Sequence, residues 1–223
     1  MVAVPFPGDA RLRFVERENP HRARLEQHIH QRYAQTYGAD IRHFLPTLIA
    51  VEANDGHVLG VMGVRPAARE ALFLEQYLDD PVEQVLGRHL GVAVERLRLA
   101  ELGNLAAGLP GTARMLILAL SAYLRGAGFD WVVFTAVPAV RNAFARLDLQ
   151  LVELAEADGA RLGTGLAHWG SYYTQRPVVV ACDVHRSYAQ LQHVIALEHS
   201  LASAPRLWRS ALALGEHQAG VHL

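Results

Sequence analysis

The run Val94-Glu95-Arg96-Leu97-Arg98-Leu99-Ala100-Glu101-Leu102-Gly103-Asn104, the long segment from Gly111 to Arg125, and Trp131-Val132-Val133-Phe134-Thr135 carry the architecture of this chain. The first reads as a strand from Val94 to Leu102, broken by Gly103-Asn104. In the second, Ala113, Leu116, Ile117, Leu120 and Leu124 recur at the spacing of one helix face, and Gly126 and Gly128 stop the helix. The third is a short apolar run of strand length. Together they form a strand–helix–strand crossover.

Upstream, Arg11 to Val15 reads as a strand. His21 to Tyr37 reads as a helix, with Leu25, Ile29, Tyr33 and Tyr37 on one face and Gly38 closing it. Leu48–Val51 and Val58–Val64 are strands joined through Asn54-Asp55-Gly56, residues that suit a hairpin turn. Leu72 to Leu78 is either a strand edge or a pocket-lining loop, and Pro81 to His89 a helix. Downstream, Pro138 opens a helix whose inner face carries Val140, Ala143, Phe144 and Leu147. Strands follow at Leu149–Leu154 and Val178–Val184, joined by a long loop. From Ser187 the chain reads as helical with a break at Pro205. Hairpins mixed with crossovers imply an α+β fold with a mixed sheet.

The 223 residues are 51% hydrophobic and 19% charged, enough to build a substantial core. A formal charge of −1 argues against a nucleic-acid surface. All 21 basic residues are Arg, so neither a Schiff-base lysine nor a phosphate-loop lysine exists. The single cysteine, Cys182, lies in an apolar run and reads as a core thiol; no internal disulfide or cysteine-rich zinc site can form. His28 and His30 are two apart on a helix and face different directions, so no shared metal is expected. Met1 to Gly8 lacks the basic start and apolar run of a signal peptide. Met115 to Leu124 is too short to span a bilayer. The expected location is the cytoplasm.

Several strings carry a resemblance. Arg32-Tyr33-Ala34-Gln35-Thr36-Tyr37-Gly38, His43-Phe44-Leu45-Pro46, Leu72-Phe73-Leu74-Glu75-Gln76-Tyr77-Leu78, Glu101-Leu102-Gly103-Asn104-Leu105-Ala106, Arg141-Asn142-Ala143-Phe144 and Trp169-Gly170-Ser171-Tyr172-Tyr173 together resemble the thermostable hemolysin family. The element order is similar to the Gcn5-related N-acyltransferase (GNAT) fold. The resemblance implies a GNAT-like mixed, mostly antiparallel sheet flanked by helices over residues 1–186. Residues 187–223 are then a helical extension packed on the same domain, either capping the core or forming a homodimer contact. More distantly, the chain is similar to acyl-homoserine-lactone synthases. Their Glu-x-Ser-Arg-Phe string is matched here by Glu101-Leu102-Gly103-Asn104-Leu105, which keeps only the Glu, so homoserine-lactone synthesis is not expected.

The implied activity is acyl transfer from a thioester, acyl-coenzyme A or an acyl carrier protein, to a small amine. Such a reaction needs a base for the amine, stabilisation of the oxyanion and a departing thiolate. Glu101 at a strand end is the candidate base, with burial raising its pKa; pairing with Arg98 or a helix N-terminus is the alternative. Gly103 supplies the kink at which backbone N–H groups meet the oxyanion. Asn104 either adds a donor or satisfies its own turn. The donor's phosphates belong at the start of the long helix, near Gly108, Gly111, Thr112 and Arg114, with Asn142 on the following helix. The glycines of Gly108-Leu109-Pro110-Gly111 are spaced one residue wider than the family string, and Pro110 lacks an N–H. Phe144 stands where many acetyltransferases have a Tyr acid, leaving Tyr172 or Tyr173 as substitutes. Arg32, Tyr33, His43, Phe44, Glu75, Gln76, Tyr77 and Trp169 are assigned to the substrate side. The other classes are a membrane-active hemolysin, which no basic amphipathic helix supports, and a non-catalytic acyl-thioester-binding protein.

Overall fold

In a computed structural model, which describes residues 10–108, 111–197 and 204–221, seven strands form one sheet in the order β1-β2-β3-β4-β5-β7-β6. The elements are β1 (Arg11–Val15), α1 (Arg22–Tyr37), β2 (Thr47–Glu52), β3 (Val58–Pro66), α2 (Val82–Leu90), β4 (Leu99–Ala107), α3 (Thr112–Gly126), β5 (Trp131–Ala136), α4 (Pro138–Ala145), β6 (Val152–Glu156), β7 (Val178–Asp183), α5 (Val184–Leu197) and α6 (Ala204–Val221). Every neighbouring pair is antiparallel except β4 and β5, which α3 joins by a crossover.

Alternation along the strands sorts the core into two sides. Ala100, Leu102, Val132, Phe134, Val180 and Cys182 face α3 and its neighbours. Leu99, Val133, Val179 and Ala181 face the opposite side, beneath α2 and the turn before it. Nearer β1, that same side is covered by α1, where Leu25, Ile29 and Tyr33 are buried at four-residue spacing.

Three elements depart from the sequence reading. Of the two readings for residues 72–78, the strand edge fails and the pocket-lining segment holds, wound into a 3-10 turn, Phe73–Tyr77. β4 starts later than expected, because Arg96–Arg98 form a 3-10 turn, and it runs through Gly103-Asn104 to Ala107. A β-bulge absorbs the irregularity: Val61 pairs with Ala106 and Gly63 with Gly103, so β4 carries one extra residue there. β6 starts three residues later and ends two later than Leu149–Leu154. The break expected at Pro205 is matched by two separate helices, α5 and α6; Pro205 sits in the first turn of α6, where its missing N–H costs nothing. The N-terminal run to Gly8, Leu109, Pro110 and Leu201 lie outside the described residues.

Helix α3 is buried on all sides from Met115 to Leu124. A helix apolar all round needs cover opposite the sheet, and α5 and α6 provide it. Contact with α6 is backbone to backbone. A Cβ on Gly126 would stand 2.3 Å from the Leu212 carbonyl oxygen, and one on Gly215 would stand 2.2 Å from that of Tyr123. The Tyr123 hydroxyl donates to Gln218 at 2.9 Å across the same seam. Among the described residues no helix is long and apolar enough to cross a membrane. Gly215→Val is expected to lower stability by about 3 kcal/mol and the melting temperature by roughly 6–12 °C, measured by thermal denaturation followed by circular dichroism.

Candidate active site

Parallel pairing of β4 with β5 covers only Leu99–Leu102 against Trp131–Phe134. Both strands continue, β4 to Ala107 and β5 to Ala136, but apart. The bulge separates them. Asn104 adopts φ 53°, a left-handed conformation that Asn tolerates better than most residues. Its side chain accepts the Leu45 N–H at 2.8 Å and donates to the His43 carbonyl at 3.3 Å, fixing the segment after α1 against the bulge. Leu45 lies across two glycines: a Cβ on Gly63 would be 2.8 Å from the Leu45 Cβ, and one on Gly103 would be 3.1 Å from its Cδ1. Asn104 therefore holds local structure, and Gly103 leaves room for Leu45.

A cavity of about 330 Å³ opens where the strands part. Its lining comes from both sides of the sheet. On the α1 side stand Tyr33, Tyr37, Trp169, Tyr172 and Tyr173, with Phe73 and Tyr77 from the 3-10 turn. These rings pack on one another, with centroids 5.2 Å apart for Trp169–Tyr172 and 5.6 Å for Phe73–Trp169. On the α3 side stand Met62, Leu102, Phe134 and Phe144. Asp40, Arg42, His43 and His168 also belong to the lining, and His30, Arg42 and His168 gather around the Asp40 carboxylate. The segment carrying the aromatic cluster is tied to the end of α1 through its backbone: the Ser171 N–H donates to the Tyr37 carbonyl at 2.8 Å and the Asp40 N–H to that of His168 at 2.7 Å.

Glu101 lies on the cavity wall and is 3% exposed. Its carboxylate accepts the N–H groups of Leu74 at 2.8 Å and Phe73 at 3.0 Å, and Arg65 Nη1 lies 3.5 Å away. Burial raises its pKa above the ordinary 4.5; the two N–H bonds and Arg65 oppose that rise without cancelling it. Arg98, the partner considered from sequence, instead pairs with Asp130 at 2.7 Å. Arg65 was not singled out from the sequence, although an Arg at the end of an otherwise buried strand is a usable signal. It is largely buried, lines the cavity and donates to the Ala71 carbonyl at 3.0 Å.

Of the predicted residues, the cavity gathers Glu101, Gly103, Asn104, Tyr33, His43, Phe44, Gln76, Tyr77, Trp169, Tyr172 and Tyr173. Others lie elsewhere. Arg32 donates to the Ala107 carbonyl at 3.2 Å, at the far end of β4. Glu75 is held bidentately by Arg96, at 2.6 and 2.9 Å, and accepts the Leu72 and Val82 N–H groups. The Gly108 N–H is used by the Leu59 carbonyl, Thr112 is fully buried, and Asn142 is solvent-exposed. Gly111 caps the N-terminus of α3 and Arg114 sits in its first turn, both outside the cavity lining. The hydroxyls of Tyr77 and Tyr173 touch, and burial lifts the Tyr173 phenol to about 12 against that bond. Burial also raises Tyr172. Cys182 is buried, its thiol pushed up to about 11 by burial and set beside Ser187 at 3.1 Å. Among the described residues no group of acidic, His or Cys side chains could hold a metal ion.

A bulged β4, a crossover helix and parting parallel strands define a GNAT-like fold. The chain belongs to the thermostable hemolysin family, whose model matches residues 15–188. Among solved structures it is similar to FeeM, an N-acyl amino acid synthase from uncultured soil microbes (17% identity, TM-score 0.57, 81% of this chain and 93% of that one). It is also similar to the acyl-homoserine-lactone synthase LasI (14%, 0.52, 79% and 90%). A third is BjaI, a coenzyme-A-dependent acyl-homoserine-lactone synthase solved with SAM and isopentyl-CoA (12%, 0.52, 89% and 98%). At these identities the likeness is one of fold. No curated protein sequence matches the chain.

Burial pushes the Glu75 carboxyl up, but the bonds from Arg96 and from the Leu72 and Val82 N–H groups prevail and hold it at about 2. A carboxyl held low in the folded chain contributes stability above its unfolded value, and that contribution is lost as pH falls toward about 2. Glu75→Gln is therefore expected to cost about 2 kcal/mol at pH 7. In urea titrations the gap between variant and native chain should close steadily below pH 4.5, the ordinary carboxyl value.

Proposed function

We propose that the protein transfers an acyl group from a thioester, acyl-coenzyme A or an acyl carrier protein, to a small amine, with Glu101 as the base. The observation that carries this reading is a buried carboxylate of weakened acidity on the wall of a cavity that opens between parting parallel strands. A base must be unprotonated before attack yet hold a proton well, and a raised pKa serves both needs. The fold neighbours named as acyl-homoserine-lactone and N-acyl amino acid synthases favour an amine acceptor and an acyl donor. The coenzyme A in the name of another favours a phosphopantetheine thioester.

The thioester enters between β4 and β5. Among the described residues no strand pairs with the β4 edge facing β5 beyond Leu102, and we assign the backbone N–H groups there to the oxyanion. The amine approaches from the α1 side, among Tyr33, Trp169 and Tyr77. Glu101 takes its proton as nitrogen attacks the carbonyl carbon; the C–S bond then breaks and the thiolate leaves. A thiol has a pKa near 8.5, so Tyr173 at about 12 is too weak an acid to protonate the thiolate fully. Tyr172, raised further, is weaker still. Both remain protonated as hydrogen-bond donors. The donor's phosphates fall at the start of α3, near Gly111 and Arg114.

The test is thiol release from acyl-coenzyme A and acyl-carrier thioesters with pooled amines. The native protein should release thiol, with an acid limb centred above the ordinary carboxyl value of 4.5 because activity fails as Glu101 is protonated on lowering the pH. Glu101→Gln should lose about 10²–10⁴-fold and show no such limb. Donor binding without thiol release would make this a non-catalytic acyl-thioester-binding protein, with Glu101 a carboxylate that only anchors the Phe73–Leu74 turn.

A further inference from the structure

The cavity has two chemically different ends. On the α1 side it carries tyrosine rings, Glu101 and Arg65; on the α3 side Met62, Leu102, Phe134 and Phe144 present hydrocarbon and a thioether. Behind that second end lies a separate void of about 20 Å³, between α3, β5, β7 and α5. Leu102 and Phe144 line both spaces, so they form the partition between them. Phe144 is held there from α4, its ring packed on Phe134 with centroids 4.9 Å apart, and it is 5% exposed. The void is large enough for about one water molecule. Its lining is mainly aliphatic, from Ile117, Leu120, Leu124, Val132 and Leu149.

We propose that Phe144 sets the length of the acyl chain the protein accepts, by closing the α3-side end of the cavity against the void behind it. The inference rests on the acyl-transfer reading for its ligand, and deepens it. An extended methylene chain gains from burial against hydrocarbon, at about fourfold in affinity per methylene. It gains nothing beside Glu101 and Arg65, which the polar reacting groups need. The chain therefore points through the strand gap toward Phe144, and it stops where the ring stands. The role of the ring is to limit depth.

The experiment measures the affinity of native protein, Phe144→Ala, Phe144→Leu and Phe144→Trp for a straight-chain acyl-coenzyme A series, acetyl to hexadecanoyl, by titration calorimetry. Phe144→Ala removes six carbons and joins the two spaces, so the longest chain that still gains affinity should lengthen by about four carbons. Phe144→Leu should lengthen it less, and Phe144→Trp should shorten it. If Phe144→Ala does not fold, the Leu and Trp variants must still shift in opposite directions. An unchanged length profile in all folded variants, or no chain-length dependence in the native protein, overturns the proposal. Thiol release on the same samples separates the two claims: a shifted affinity profile without release leaves Phe144 as the length stop of a binding protein. Release with an unshifted profile keeps the enzyme and removes the stop.

Discussion

Everything at the centre of this molecule depends on the place where β4 stops pairing with β5. Four residue pairs hold the strands together, and after Leu102 they part. The cause is local: one extra residue in β4 opposite β3, with Asn104 in a left-handed conformation. Such a bulge persists only when its surroundings hold it. Here both ends of the Asn104 amide bond the backbone of His43 and Leu45, while Gly63 and Gly103 give way to the Leu45 side chain. The same contacts place the segment after α1 at the cavity wall, so opening and lining the cavity are one structural event.

Parting the strands puts opposite chemistries on opposite sides. Glu101 and Leu102 are neighbours in sequence, and strand alternation sends one beneath the 3-10 turn and the other toward α3. A carboxylate with little access to water needs compensation, and two N–H groups at the start of that turn supply part of it. The remainder appears as the raised pKa. The carboxylate thus both bonds the turn that brings Phe73 and Tyr77 to the cavity and keeps a raised proton affinity.

The sequence exposes much of this and hides the rest for definite reasons. Helical spacing reveals α1 and α3, because a one-sided core imprints a period of 3.6. The 3-10 turn at Phe73–Tyr77 carries no such period; beside the local bond from the Leu72 N–H to Glu75, its Phe73 and Leu74 N–H groups are held by Glu101, 27 residues beyond Leu74 in the chain. Gly103-Asn104 reads as the end of a strand because a bulge and a terminus use the same residues. The string containing Glu75 resembles a site, but the bidentate bond from Arg96 is a tertiary event that local reading cannot contain. Arg32 shares a helix with Tyr33, yet one residue's rotation, about 100°, sends Tyr33 to the cavity and Arg32 to the end of β4.

The C-terminal helices complete the argument from the other side of the sheet. The family match ends at residue 188, so α6 lies wholly beyond it. Helix α3, inside the matched region, is nevertheless apolar all round. Its outer surface would cost heavily if left in water, and α6 covers it closely enough that glycine is required at Gly126 and Gly215. On its inner side α3 contributes Ile117, Leu120 and Leu124 to the void behind Phe144, and α5 contributes Val184 and Ser187. The helix pinned by α6 is therefore a wall of the space beyond the cavity's apolar end. The extension lies far from Glu101 in sequence, yet it packs on the helix that lines that space.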